Sequence, residues 1–424
     1  MAFSEVCRIY QQDEKFLVLN PSVPAWVVTN INGVLLLKLY AEEKTFAEIA
    51  AEFQTYAPDF PVAAMINFLE EAAAEHLFDA PTELTEYAPS DLRNVYLNIT
   101  DACNLNCVYC VNSLRDESKQ NLGIEDYKRI VDEIAALNPK IGVIFTGGEA
   151  LTSGVTIPAA AYAKTRGLDC MLMTNATLID EKNIGVIAEN FSHVQISLDG
   201  SRAAVHDYFR GNGNFAKTER AITLLKNHGV EIQLMMVVSK KNLDDVAAMI
   251  DKWGSEVDFQ PLFPFANPKL YDALKISGKD YFDAMTRASD NVIFHEFLAK
   301  IPEHYRTKKT QIKCGLGDGQ ISISHSGDVY PCALLHNPLF KVGNIRESSL
   351  AEIYNSPALR KFKIHTADNI SKCRGCDFKL ICGGSCQARN FIENGDLDIA
   401  GDFCEYERLT IVRELINLST LKEL

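Results

Sequence analysis

Residues 98–110 read Asn98-Ile99-Thr100-Asp101-Ala102-Cys103-Asn104-Leu105-Asn106-Cys107-Val108-Tyr109-Cys110. Three cysteines fall in eight residues, separated by three residues and then two. The preceding Val95–Thr100 has the alternation of a strand. A cubane iron–sulfur cluster normally takes four thiolates. Three on one short loop leave one iron open to an outside ligand. A structural zinc site is closed by four protein ligands, and this loop offers three.

Residues 95–262 alternate strand and helix. Strands are predicted over 95–100, 142–146, 170–174, 194–198, 231–238 and 257–261, with helices over 124–137, 156–165, 181–189, 215–228 and 242–253. Six strand–helix repeats predict an α/β fold, a parallel sheet curved into a partial (β/α)6 barrel of TIM type. Chemistry in such folds collects at the C-terminal ends of the strands. The three-cysteine loop follows the first strand. Thr146-Gly147-Gly148-Glu149 ends the second, Thr174-Asn175-Ala176-Thr177 the third, and Ser197 and Asp199 the fourth.

The C-x3-C-x2-C spacing, with aromatic Tyr109 before the last cysteine, resembles the radical S-adenosylmethionine (SAM) superfamily. The resemblance implies a [4Fe–4S] cluster on Cys103, Cys107 and Cys110. SAM would chelate the open iron, and its cleavage would give a 5′-deoxyadenosyl radical that abstracts hydrogen from carbon. It also implies SAM contacts. Gly147, Gly148 and Glu149 would receive the ammonium, with Asn175 at the third strand end and Ser197 on the ribose beside Asp199. Arg210, in His206-Asp207-Tyr208-Phe209-Arg210-Gly211, would pair with the carboxylate. Family members often carry glycine where Ala176 stands.

Seven further cysteines fall between residues 314 and 404. Their order, C-x(9–15)-G-x4-C then C-x2-C-x5-C-x3-C then C, resembles the SPASM domain of radical SAM enzymes that act on peptides. By that resemblance Cys373, Cys376, Cys382 and Cys404 hold an outer auxiliary [4Fe–4S] cluster. Cys314, Cys332 and Cys386 hold an inner one, a thiolate short. That makes three clusters in all. Sulfatase-maturating relatives carry an aspartate after the second cysteine of this pattern, whereas Cys332 is followed by Ala333. The two remaining cysteines, Cys7 and Cys170, read as buried structural thiols.

Residues 1–80 predict strands at Phe16–Leu19 and Ala25–Val28, then helices. Thr45-Phe46-Ala47-Glu48 is a capping box. Val62, Met65, Phe68 and Leu69 form one apolar helix face. The stretch resembles the winged-helix-like recognition element for ribosomally synthesised, post-translationally modified peptides (RiPPs). There a leader peptide adds as a strand to the sheet edge. Twelve acids against four bases here, and a whole-chain net charge of −14, argue against nucleic acid. The N-terminus lacks signal-peptide character and no apolar run approaches a membrane span, so a cytoplasmic protein is expected.

The expected organisation is a recognition element over 1–82, a linker over 83–94 and the barrel over 95–262. A bridging region over 263–313, SPASM over 314–408 and a C-terminal helix over 409–424 complete it. The resulting functional expectation is a peptide maturase. It binds a precursor's leader, abstracts hydrogen from a core residue and forms a thioether, or a C–C or C–O cross-link, with a flavodoxin or ferredoxin as reductant. A peptide epimerase and a non-catalytic iron–sulfur escort are the alternatives.

Overall fold

The structure, a computed structural model, describes residues 3–23, 25–42, 44–80, 91–110, 121–265, 267–289 and 313–418. Most of the expected linker, the bridging stretch 290–312 and residues 419–424 lie outside them. Contacts divide the chain into two units. One comprises the described residues of Met1–Tyr87, Ala299–Cys314 and Thr366–Leu424; the other, those of Ala88–Leu298 and Gly315–His365.

After a short helix, Phe3–Val6, the first unit carries an antiparallel sheet, β1 (Arg8–Gln12), β2 (Lys15–Asn20) and β3 (Ala25–Thr29), in that order. Helices Ile31–Tyr40, Phe46–Phe53 and Val62–Ala74 follow. The Thr45 capping box forms at both ends: Thr45 N–H donates to Glu48 at 2.8 Å, and Glu48 N–H to Thr45 Oγ1 at 3.3 Å. Met65, Phe68 and Leu69 are buried as expected, while Val62 is exposed at the first turn.

Both faces of this small sheet are covered. Val18 and Val27 pack with Val34, Leu37, Phe53 and Phe68 of the helices. Leu17, Leu19, Trp26 and Val28 on the opposite face pack with Phe378, Ile381, Ile411 and Leu415. Period-2 alternation turns successive side chains to opposite faces, so an unbroken run such as Phe16-Leu17-Val18-Leu19 serves two cores. Each such side chain is worth about 1.5–3 kcal/mol of burial.

The second unit carries β4 (Asn94–Asn98), β5 (Gly142–Thr146), β6 (Asp169–Thr174), β7 (His193–Ser197), β8 (Glu231–Val238) and β9 (Val257–Pro261). Neighbours pair in parallel throughout, giving the six-stranded arrangement expected of the partial barrel. Three short strands extend the same sheet: β10 (Gln320–Ile323) pairs in parallel with β4, then β11 (Asp328–Tyr330) and β12 (Gly343–Asn344) pair antiparallel. The sequence shows few long periodic segments there. These strands are four, three and two residues long, too short to show a period.

The strand alternates Val95, Leu97, Val143, Phe145, Cys170, Leu172, Val194 and Ile196 are all buried. The helix Thr156–Thr165 covers one stretch of this face, and Cys170 Sγ stands 3.9 Å from Ala160 O within it. Among the described residues, no helix is long and apolar enough to cross a membrane.

Candidate functional site

The three-cysteine loop is held at the strand ends by backbone bonds. Gly148 N–H donates to Thr100 O at 2.7 Å, and Glu149 N–H to Ala102 O at 2.9 Å. This approach requires glycine. A Cβ on Gly148 would fall against the carbonyl oxygens of Asp101 and Ala102, and one on Gly147, at φ +151°, against Thr100 O. A side chain has no room where two backbones bond this closely.

Glu149 is buried. Its carboxylate accepts from Asn175 N–H (2.8 Å), Thr174 Oγ1 (2.8 Å) and Leu151 N–H (3.1 Å). Burial raises its pKa and these hydrogen bonds oppose the shift. A carboxylate has about four acceptor positions, so Glu149 mainly ties the β5 end to the β6 end. Asn175 Nδ2 reaches back to Asn104 Oδ1 at 3.0 Å, and Asn104 Nδ2 donates to Thr177 at 2.8 Å. The cysteine loop is thereby fastened to the third strand end.

Ala176 sits at φ +62°, in the left-handed region that glycine tolerates best. This gives the physical content of the departure at that position: the backbone asks for glycine and the sequence supplies alanine.

The far side of the loop rests on a buried cluster. Tyr109 O–H donates to Asp199 Oδ2. Arg210 Nε donates to the same oxygen at 2.5 Å, Nη2 to Tyr109 Oη at 2.8 Å, and Nη1 approaches Cys107 Sγ at 3.8 Å. Asp199 Oδ1 accepts from Val237 N–H at 3.1 Å. Burial pushes the Tyr109 phenol well up. Burial works against the Arg210 charge, but Asp199, Tyr109 and Cys107 together outweigh it and the guanidinium stays protonated. Arg210 lies on the helix Ala203–Arg210, a segment in which the sequence reading placed no helix.

His206, on the same helix, accepts from Asp199 N–H through Nδ1 at 3.1 Å. It is buried, and burial lowers its pKa to about 4, so the ring is neutral. Sequence reasoning did not assign it a role. The i,i+4 pairing of His206 and Arg210 was the available signal. Ser197 is half-buried at the end of β7, in register with Met235.

In the first unit, Cys373, Cys376, Cys382 and Cys404 line one pocket, with Ser385, Arg389, Phe403 and Glu407. Backbone N–H groups of Gly384 and Ser385 point at Cys382 Sγ, and that of Phe378 at Cys376 Sγ. Residues 383–385 hold left-handed φ values of 68°, 85° and 56°, which aims the amides at the sulfur. Amide donors of this kind suit bound thiolates. Burial raises the Cys382 thiol, and Cys373 to about 11; metal binding would displace those protons.

Cys314 and Cys386 belong to this unit, and Cys332 to the other. Cys386 caps the helix Gln387–Asn394, with the Ala388 and Arg389 amides on its sulfur. Cys332 Sγ takes a contact from Gln320 Nε2 at 3.7 Å. Cys7 and Cys170 are buried, with pKa values pushed up to about 12 by burial.

The radical SAM superfamily pattern matches residues 97–252, and the SPASM iron–sulfur cluster-binding pattern matches residues 314–377. The AdoMet-dependent heme synthase of Methanosarcina barkeri is 29% identical over 345 residues, 74% of this chain and 96% of that one. The mycofactocin maturase MftC of Mycolicibacterium smegmatis is 27% identical over 315 residues, 71% of this chain and 79% of its own. In fold, the chain resembles Streptococcus suis SuiB bound to S-adenosylmethionine, with a TM-score of 0.58 at 16% identity, covering 95% of this chain and 99% of that one. Loop, strand ends, cavity and both matched regions lead to one conclusion: this chain is a radical SAM enzyme with a SPASM domain, using SAM and [4Fe–4S] clusters.

Proposed function

We propose that this enzyme matures a ribosomal precursor peptide in the cytoplasm, binding its leader on the N-terminal sheet-and-helix module and forming a thioether in its core. The observation that carries the peptide reading is the three-stranded sheet followed by three helices, joined through one apolar core to the segment that holds Cys376 and Cys382. An element built this way offers an edge to an extended chain. A docked leader raises the local concentration of the core residue. MftC, a maturase by name, supports the same class.

In this reading Cys103, Cys107 and Cys110 hold the SAM-binding cluster. With that cluster reduced by a flavodoxin or ferredoxin, SAM held there would supply, on one-electron cleavage to methionine, a 5′-deoxyadenosyl radical able to take hydrogen from an unactivated C–H bond. The residues of the chain orient and shield. Asn104, Asn175 and Glu149 fix the loop against the strand ends. Tyr109, Asp199 and Arg210 brace its other side, and two of the five Arg210 N–H donors beyond those bonds suit a carboxylate. Gly147, Gly148 and Ser197 complete the cradle. Cys373, Cys376, Cys382 and Cys404 hold the outer auxiliary cluster, and Cys314, Cys332 and Cys386 the inner.

A second reading is a tetrapyrrole substrate, favoured by the heme synthase likeness. The leader-binding reading is preferred because it assigns work to the N-terminal module. Mass spectrometry separates the two. Reconstituted enzyme with SAM and dithionite should leave the precursor peptide two hydrogens lighter. An unchanged peptide alongside a modified iron tetrapyrrole would overturn the peptide reading.

A further inference from the structure

The four cysteines assigned to the outer cluster come from two separate stretches. Cys373, Cys376 and Cys382 lie within ten residues; Cys404 arrives twenty-two residues after Cys382. Something must seat the segment that delivers it. The helix Gln387–Asn394 does so with one face. Asn390 Oδ1 accepts from Gly401 N–H at 2.8 Å, and Glu393 Oε2 from Asp402 N–H at 2.8 Å. Asn394 Nδ2 donates to Ile399 O at 3.4 Å. A Cβ on Gly401 would collide with the Glu393 carboxylate, so the loop backbone sits directly against that side chain.

Arg389 holds this arrangement together. Its side chain is 5% exposed and donates to Glu393 Oε1 at 2.9 Å. Its guanidinium lies over the Phe403 ring at 4.5 Å, next to Cys404. Arg389 lines the cysteine cavity, and Glu393 does not. The positive member of the pair therefore borders the cysteine pocket, which Glu407 also lines, and the negative member borders the loop backbone. A planar guanidinium can stack and donate at once.

We propose that Arg389, braced by Glu393, is the positioning residue of the outer auxiliary cluster: it seats the Gly401–Cys404 loop and sets a buried positive charge against the cavity wall. Four thiolates make the bound cluster net negative, and reduction adds a further negative charge. A nearby buried cation favours the reduced form, since net charge and burial set these potentials. This rests on the assignment of Cys373, Cys376, Cys382 and Cys404 to one cluster.

The test uses the full chain carrying Cys103→Ala, Cys107→Ala and Cys110→Ala, so that only auxiliary clusters remain. Redox titration followed by electron paramagnetic resonance is run on this protein and on Arg389→Met and Arg389→Lys within it. Arg389→Met should lower an auxiliary-cluster potential, with Arg389→Lys in between. If Arg389→Met does not retain iron, the Arg389→Lys shift decides. Wild-type potentials and full iron content in both variants would overturn the proposal. Cys373→Ala and Cys404→Ala serve as the separate check: unchanged iron in those would instead sink the cluster assignment.

Discussion

Tyr10 donates its hydroxyl to Asp377 Oδ2 at 2.6 Å, and Asp377 follows Cys376 in the chain. Arg8 Nε stands 3.5 Å from the other oxygen of the same carboxylate, and the Tyr10 ring lies 4.8 Å from that of Phe378. The first strand of the N-terminal module thus holds the segment that carries Cys376 and Cys382, two of the cysteines proposed for the outer cluster. The module is built into the part of its unit that carries the cysteine pocket.

Tyr10→Phe removes a hydrogen bond to a charged group, worth roughly 1.5–3 kcal/mol. The apparent unfolding midpoint of the anaerobic holoenzyme should fall accordingly, with iron lost first from an auxiliary cluster. A variant with unchanged midpoint and iron would show that strand and cluster segment are independent.

Gly148→Ala puts a methyl group into the carbonyl oxygens of Asp101 and Ala102. The cysteine loop must then shift. Iron analysis should show loss of the SAM-binding cluster with the auxiliary iron retained, and 5′-deoxyadenosine release should fall at least about tenfold, the equivalent of ~1.4 kcal/mol. Full activity would mean that the close approach is dispensable.

Ala176→Gly relieves a left-handed alanine, whose strain is about 1–2 kcal/mol, against a smaller entropic cost for glycine. The expected result is a gain of up to about 1 kcal/mol in denaturant stability with turnover retained. A loss of stability would place the strain elsewhere.

His206 is neutral when folded, with a pKa near 4, against about 6.5 in the unfolded chain. Between those values the unfolded chain binds the extra proton, so stability falls as pH drops through 6.5 towards 4. From pH 7 to 5 this group should cost on the order of 2 kcal/mol. Denaturant midpoints at both pH values should show it in wild type, and His206→Gln should flatten that component. An identical pH slope in both proteins would refute the neutral-imidazole assignment.

Much of the barrel is legible in the amino-acid order. β5, β8 and β9 fall on the residues that periodicity marks, because parallel strands buried on one face leave long apolar alternation. The Ala203–Arg210 helix is not legible in this way. It is two turns long and half polar, and only its packing reveals His206 and Phe209 as buried. The cysteine spacings announce clusters, but not what seats Cys404 or Cys376. Those supports come from Arg389 and Glu393 on a neighbouring helix face and from Tyr10, more than three hundred residues away in sequence. Long-range contacts of that kind leave no local period.

Electron paramagnetic resonance of the dithionite-reduced enzyme with and without SAM tests most directly whether Cys103, Cys107 and Cys110 hold a cluster with one iron open to SAM. SAM should change the signal of one cluster, Cys107→Ala should abolish that change, and 5′-deoxyadenosine should appear only where the change occurs. A reduced three-cysteine cluster whose signal ignores SAM, with no 5′-deoxyadenosine formed, would contradict an open iron there.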